Sequence, residues 1–267
     1  MVQDSYTPSA QFGIGRVMGT SFTVLGRNFV PFIVLSIICA VPNILFSLLN
    51  PDFQRLMRGD FHPAPAERFS GGHLAITLLG WLISILCYSL NQSALVYGTV
   101  QDLQGRRADF AAIVSRGFAA LLPVIGAAIL TTLGLTVGFV LLIVPGVILL
   151  VMWWVTIPVI VVERADIAAA FGRSRLLTAG HRWGIFGLLI LVGIIWQVIV
   201  GIAGGAVGGF VGINGNLAGA FASGIITALI LGIVVSAYLA VLSAVGYYFL
   251  RAEKEGIVID DIARVFD

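Results

Sequence analysis

Charge is what this chain has least of. Only 10 % of its 267 residues are Asp, Glu, Lys or Arg, where a soluble domain carries about a quarter. Hydrophobic residues make up 59 % and mean hydropathy is +1.04. A water-soluble globular domain is excluded on that balance, and an integral membrane protein is indicated. Cysteine is scarce too: Cys39 and Cys87 both fall inside apolar runs and read as small core residues rather than a disulfide framework. A basic start feeding a short apolar core is also missing. The first long apolar run begins at Phe29, which predicts targeting by uncleaved membrane helices.

Several chemistries lack their residues. No predicted span contains Asp, Glu, Lys, Arg or His, which argues against an ion-coupled pump or a proton relay. There is no His-Glu-x-x-His, and the glycine-rich Gly201–Gly219 stretch has no Lys-Ser/Thr after it, so metalloprotease and phosphate-loop chemistry are not expected. Ser84, Ser89, Ser236 and Ser243 have no partner base and read as helix-packing residues. His62, His73, Asp60 and Glu67 share the one sizeable loop, but their spacing matches no closed metal site. The expectation is a non-enzymatic protein with no catalytic residues, no metal, no cofactor and no nucleic-acid partner.

What is there is a set of long apolar runs. Ala119–Val162 holds 44 residues without a charged side chain. One helix of that length would run about 66 Å, roughly twice the bilayer's hydrocarbon thickness. Pro145 has no N–H and Gly146 tolerates a reversal, so the chain is predicted to fold back there into Ala119–Val144 and Val147–Val162. The remaining spans read as Phe29–Leu49, with a kink at Pro42, then Leu74–Val100, Trp183–Ala206 and Ala218–Leu250. Asn50–His73 is the loop on the far side. Gly201, Gly205 and Gly209, and Gly204, Gly208 and Gly212, recur every four residues, a spacing that suits close helix approach or a flexible turn.

Three amphipathic segments precede these spans in pairs. Gln11–Asn28 places Ile14, Met18, Phe22, Leu25 and Phe29 on one face. Gln101–Phe118 has Asp109 as a cap and Phe110, Ile113, Val114 and Phe118 in line. Asp166–Gly180 aligns Ile167, Ala170, Phe171, Ser174 and Leu177. The fold class is therefore all-α: a polytopic membrane protein of six transmembrane helices in three hairpins, each hairpin preceded by an interfacial helix. Residues 1–28 form the leading segment, 29–250 the membrane domain and 251–267 a charged tail with Gly256 as a helix stop. Twelve Lys and Arg fall on the side of the termini and three on the other. That asymmetry predicts both termini in the cytoplasm of a multi-pass protein of the bacterial cytoplasmic membrane.

Two groups of residues are candidate sites. Arg106, Arg107, Arg116, Arg173, Arg175, His181 and Arg182, with Trp183 beside them, can bind lipid phosphate headgroups or simply serve as topology signals. Asn91, Gln92, Trp153, Trp154 and Gln197 are polar or amphipathic groups inside spans and can line a cavity or pack between helices.

Certain strings occur together: Asp102-Leu103-Gln104-Gly105-Arg106, Ile143-Val144-Pro145-Gly146-Val147-Ile148, Pro158-Val159-Ile160-Val161-Val162-Glu163, Arg173-Ser174-Arg175-Leu176-Leu177-Thr178-Ala179-Gly180-His181-Arg182-Trp183, and Tyr247-Tyr248-Phe249-Leu250-Arg251 with Lys254-Glu255-Gly256. In combination they resemble the bacterial six-helix family related to YciC, itself similar to the membrane domain fused to some glycerophosphoryl diester phosphodiesterases. Relatives often place an arginine just before the tryptophan of the fourth span, where this chain has Met152-Trp153-Trp154. The resemblance implies no catalytic residue here, because the phosphodiesterase chemistry belongs to a separate soluble domain. Two readings of function follow. The first is an organiser of membrane lipids or of partner proteins, including a second copy of the chain. The second is a transporter or facilitator for a lipid or small amphiphile.

Overall fold

The computed structural model describes residues 12–58, 71–106, 109–213 and 217–256. Arg107, Asp60, His62 and Glu67 lie outside them, as does the tail beyond Gly256. Eleven helices follow one another, with no strand among the described residues: α1 Ile14–Arg27, α2 Phe29–Leu49, α3 Pro51–Met57, α4 Gly71–Leu103, α5 Phe110–Ala119, α6 Leu121–Leu141, α7 Ile143–Met152, α8 Thr156–Glu163, α9 Ile167–Thr178, α10 Arg182–Gly212 and α11 Leu217–Glu255. Six stretches are long and apolar enough to cross a membrane: α2, α4, α6, α7 with α8, α10 and α11. The protein is an all-α polytopic membrane protein. The predicted loop Asn50–His73 is partly helical, since α3 lies inside it and α4 starts at Gly71.

Two compact units divide the chain. The first takes the residues up to Phe29, Gln92–Leu188 and those from Tyr238 on; the second takes Val30–Asn91 and Leu189–Ala237. In the second unit α2 and α4 run antiparallel. Ser36 Oγ meets Asn91 Oδ1 at 3.0 Å and Ser84 Oγ meets Asn43 Oδ1 at 2.7 Å, while Gly80 lies against the Phe46 ring. Polar rungs of this kind contribute on the order of 0.6–2 kcal/mol each between helices in lipid. Pro42 stands inside α2 without ending it. At the other hairpin of this unit, Gly208 on α10 faces the Ala220 carbonyl of α11.

The first unit holds the reversal in the 44-residue apolar run, and the turn is not at Pro145–Gly146. It is at Leu142, whose extended backbone (φ −166°, ψ 148°) is the one residue between α6 and α7. Pro145 falls in the first turn of α7, where a missing N–H leaves no helical bond unmade, so proline starts this helix rather than stopping one. Gly146 serves packing: a Cβ on Gly138 of α6 would come within 2.9 Å of the Gly146 Cα. The second arm is also broken once, at Trp153–Val155 between α7 and α8. The Met152 carbonyl beside the break accepts a hydrogen bond from Ser174 Oγ on α9 at 2.8 Å, which satisfies a group that lipid could not.

The three short helices differ from their sequence pattern in which residues they bury. On α1 the buried residues are Val17, Ser21, Val24 and Leu25; Phe22 and Phe29 of the predicted face are exposed, although the Phe22 ring stacks on Tyr238 at 4.7 Å. On α5 Ile113 and Gly117 are buried while Phe110 and Phe118 are exposed, and Asp109 stands at the N-cap without a side-chain cap bond. On α9 the prediction holds better: Ala170, Ser174 and Leu177 are buried, and Asp166 caps the helix by accepting from Ala169 N at 2.8 Å. Gly256, with φ 61°, follows the last helical residue.

The glycines of α6 and α10 should respond oppositely to a methyl group. Gly138→Ala should cost about 1–3 kcal/mol, because its neighbour is backbone and cannot swing aside. Gly201→Ala meets nothing within 4 Å and should be neutral or gain up to about 1 kcal/mol from helix propensity. Thermal unfolding of both variants in mild detergent checks this; equal midpoints would contradict the close α6–α7 approach.

Candidate functional site

The charged side chains of the first unit sort into two arrangements, one closed and one open. The closed one begins at Glu163, the last residue of α8. Arg173 Nε on α9 donates to both carboxylate oxygens, at 3.1 and 3.2 Å, and Tyr247 Oη on α11 donates to Oε1 at 2.8 Å. Arg173 also pairs with Glu255 through its terminal nitrogen. Arg251 Nε reaches Glu255 Oε2 at 2.8 Å, and its NH1 donates to Tyr247 Oη at 2.9 Å. Two arginines and two glutamates cancel, and the ring of partners joins α8, α9 and α11. A second contact closes around Glu253: His181 Nε2 lies 3.1 Å from Oε1, and the Phe12 backbone N–H donates to Oε2 at 2.8 Å. Arg27 at the end of α1 lies 3.6 Å from Asp102 near the end of α4.

The open arrangement is a cavity of about 440 Å3. Arg106, Arg116 and Arg164 line it, with Gln101, Gln104 and Tyr97 between them, and no carboxylate is among its lining residues. Each arginine comes from a different element. Arg106 follows the Gly105 turn (φ 72°) that ends α4, where its N–H donates to the Gln101 carbonyl at 3.0 Å. Arg116 stands in the last turn of α5, with its guanidinium 6.0 Å from the Tyr97 ring centre. Arg164 is the C-cap of α8 and has φ 51°, a left-handed conformation that costs a non-glycine residue on the order of 1–2 kcal/mol.

The seven candidate headgroup residues are therefore not one cluster. Arg173 and His181 are neutralised by glutamates, Arg106 and Arg116 line the cavity, and Arg175 and Arg182 are exposed. Arg107 lies outside the described residues. Sequence reasoning overlooked Arg164 as a site residue, and overlooked Glu163, Tyr247, Arg251 and Glu255 as partners of Arg173. Only the Arg251–Glu255 spacing, i to i+4, was visible as a local signal.

The cavity-lining candidates are likewise divided. Asn91 lines a second cavity, of about 280 Å3 within the second unit, together with Ser36, Asn43, Tyr88 and Ser236. Gln92 is buried in the first unit. Trp153 packs against Gly134 and the Phe171 ring, 4.9 Å away, and Trp154 against Gly246. Both tryptophans are packing residues, filling space that two glycines leave. Gln197 is exposed on α10. His73 lies 3.3 Å from Asp52, and no group of three metal-ligating side chains occurs among the described residues.

Arg173→Ala leaves two glutamates without their shared partner and should cost about 1–3 kcal/mol, a value reduced from that of a fully buried pair because the group is partly solvated. Arg175→Ala, on the same helix but exposed, should stay within about 0.5 kcal/mol of the parent. Thermal unfolding of the two variants tests the closed arrangement, and a double-mutant cycle of Arg173 with Glu163 measures the coupling directly.

The chain matches no family model, no curated protein and no solved structure. What it does must be read from its own geometry.

Proposed function

We propose that this is a non-enzymatic protein of the bacterial cytoplasmic membrane, of the YciC-like kind, that gathers anionic lipids or membrane-protein partners at its basic end. The observation that carries the reading is the junction of α9 and α10. Arg175 and Arg182 are exposed there beside Leu176 and Trp183, the latter 85 % exposed. Arginine with exposed tryptophan and leucine at a helix end is the composition of a membrane–water interface on an anionic leaflet. Phe118 and Leu122, the second 80 % exposed, continue this character at the α5–α6 junction. The division into units supports a cytoplasmic placement. Every described arginine predicted to be cytoplasmic belongs to the first unit, and Arg55 and Arg58 belong to the second.

A second reading, a facilitator for a lipid or small amphiphile, is supported by the polar cavity around Asn91. Reconstituted vesicles separate the two, since a facilitator would move solute and lose that movement in Asn91→Leu.

Arg175→Gln/Arg182→Gln should reduce the anionic lipid that stays with the protein on release from mixed phosphatidylglycerol and phosphatidylcholine nanodiscs. Each arginine near an anionic surface contributes about 1 kcal/mol, so the enrichment should fall by about tenfold or more for the pair. An unchanged lipid complement in native mass spectrometry removes the proposal. For orientation, a fluorescent protein that matures only in the cytoplasm should be bright when fused after Asp267, and a dark fusion would reverse the topology.

A further inference from the structure

We propose that the cavity lined by Arg106, Arg116 and Arg164 is a binding site for a phosphate group carried by an amphiphile. This deepens the lipid-facing reading above, and rests on it only for the membrane as the source of the phosphate.

The charge comes first. Three guanidinium groups from three separate elements line one cavity whose lining holds no carboxylate, whereas the neighbouring Arg173 and His181 each have a glutamate within hydrogen-bonding reach. The pairing rule that governs the rest of this end is suspended at one place, and an anion completes it. Arginine is the cation suited to the task. Its planar fork takes two oxygens at once, and the tetrahedral oxygens of a phosphate offer edges to several forks from different directions, which a flat carboxylate does not.

Polar satisfaction points the same way. Gln104 lines the cavity and its buried Oε1 has no hydrogen-bond partner in the protein. An amide rotated by half a turn presents its NH2 at that position, and a phosphate oxygen is the acceptor that it needs.

Size and wall chemistry define the rest of the ligand. At about 440 Å3 the cavity lies within the range of about 300–1,000 Å3 typical of ligand sites, far more than one phosphate fills. The wall opposite the arginines is apolar, from Val100, Ala119, Pro123 and Ile160. A phosphate with an apolar attachment fits both halves. The attachment can be the glycerol and first carbons of a phospholipid, or the phosphate can come from a soluble compound; the recognised chemistry is shared.

The test uses the whole protein in a neutral detergent, with phosphatidylglycerol, phosphatidylcholine and inorganic phosphate as probes. Native mass spectrometry should show one retained phosphatidylglycerol per chain, and Arg116→Gln/Arg164→Gln should lower that occupancy by about tenfold. Arg175→Gln/Arg182→Gln should leave the single retained lipid in place while the wider enrichment in nanodiscs falls, so failure of the interfacial belt and failure of the cavity read differently. Millimolar inorganic phosphate that displaces the lipid and raises the melting temperature of the parent, but not of Arg116→Gln/Arg164→Gln, assigns the phosphate itself as the recognised group. If phosphate stabilises the parent without any lipid being retained, the source is soluble. Arg116→Lys/Arg164→Lys keeps the charge without the fork and should bind at an intermediate level, which also guards against loss of fold in the glutamine pair. Equal lipid occupancy in the parent and both double variants, with no stabilisation by phosphate, overturns the proposal.

Discussion

The first unit depends on Glu163 finding its partners. An apolar segment, α7 with α8, ends on a carboxylate, and a carboxylate next to lipid is costly unless it is matched. The match comes from Arg173 and the Tyr247 hydroxyl, and it brings α9 and α11 onto the end of α8. Each further charge then needs its own counterpart: Arg173 takes Glu255, and Glu255 takes Arg251. Breaking one partner leaves a charge without compensation, which is why the network acts as a unit rather than as a sum of surface pairs. Surface salt bridges would add little; these side chains are between 15 and 29 % exposed and share partners.

This closed arrangement defines the open one by contrast. The arginines that entered glutamate pairs are withdrawn from any ligand, and those left facing a cavity or the exterior are the ones with binding capacity. Topology signalling alone would leave basic residues scattered in solvent. Here Arg106, Arg116 and Arg164 converge although they are far apart in the chain, and convergence of that kind is what recognition needs.

Six membrane spans were legible because a long run without charge has few alternatives in a bilayer. The apolar face of α9 was legible for a related reason. Its face is built of small residues, Ala170 and Ser174, that only a packed interface favours. The faces of α1 and α5 were not. Apolar residues nearly encircle these helices, and a helix at a membrane surface can expose phenylalanine to lipid as readily as it buries valine. The turn at Leu142 was missed because Pro145 was read as a terminator, while the local sequence fits proline in a first turn just as well. Glu163–Tyr247 and Arg173–Glu255 join residues 84 and 82 positions apart, and no periodicity carries that information. Arg164 was hidden by its own plausibility, since an arginine after an apolar run is what orientation alone would place there.

The long reach of these pairs also sets an order of biosynthesis. Glu163 and Arg173 leave the ribosome early enough to meet each other, but Glu255 follows Arg173 by 82 residues, which takes about 4–16 s at ordinary rates of bacterial translation. The Phe12 amide waits longer still, for Glu253 is 241 residues downstream. Until α11 is inserted, the charged end of the first unit is a half-built structure with glutamate and arginine short of partners. The last helix to be made is thus the one that latches the earlier ones, and the unit acquires its final form only when nearly the whole chain has entered the membrane.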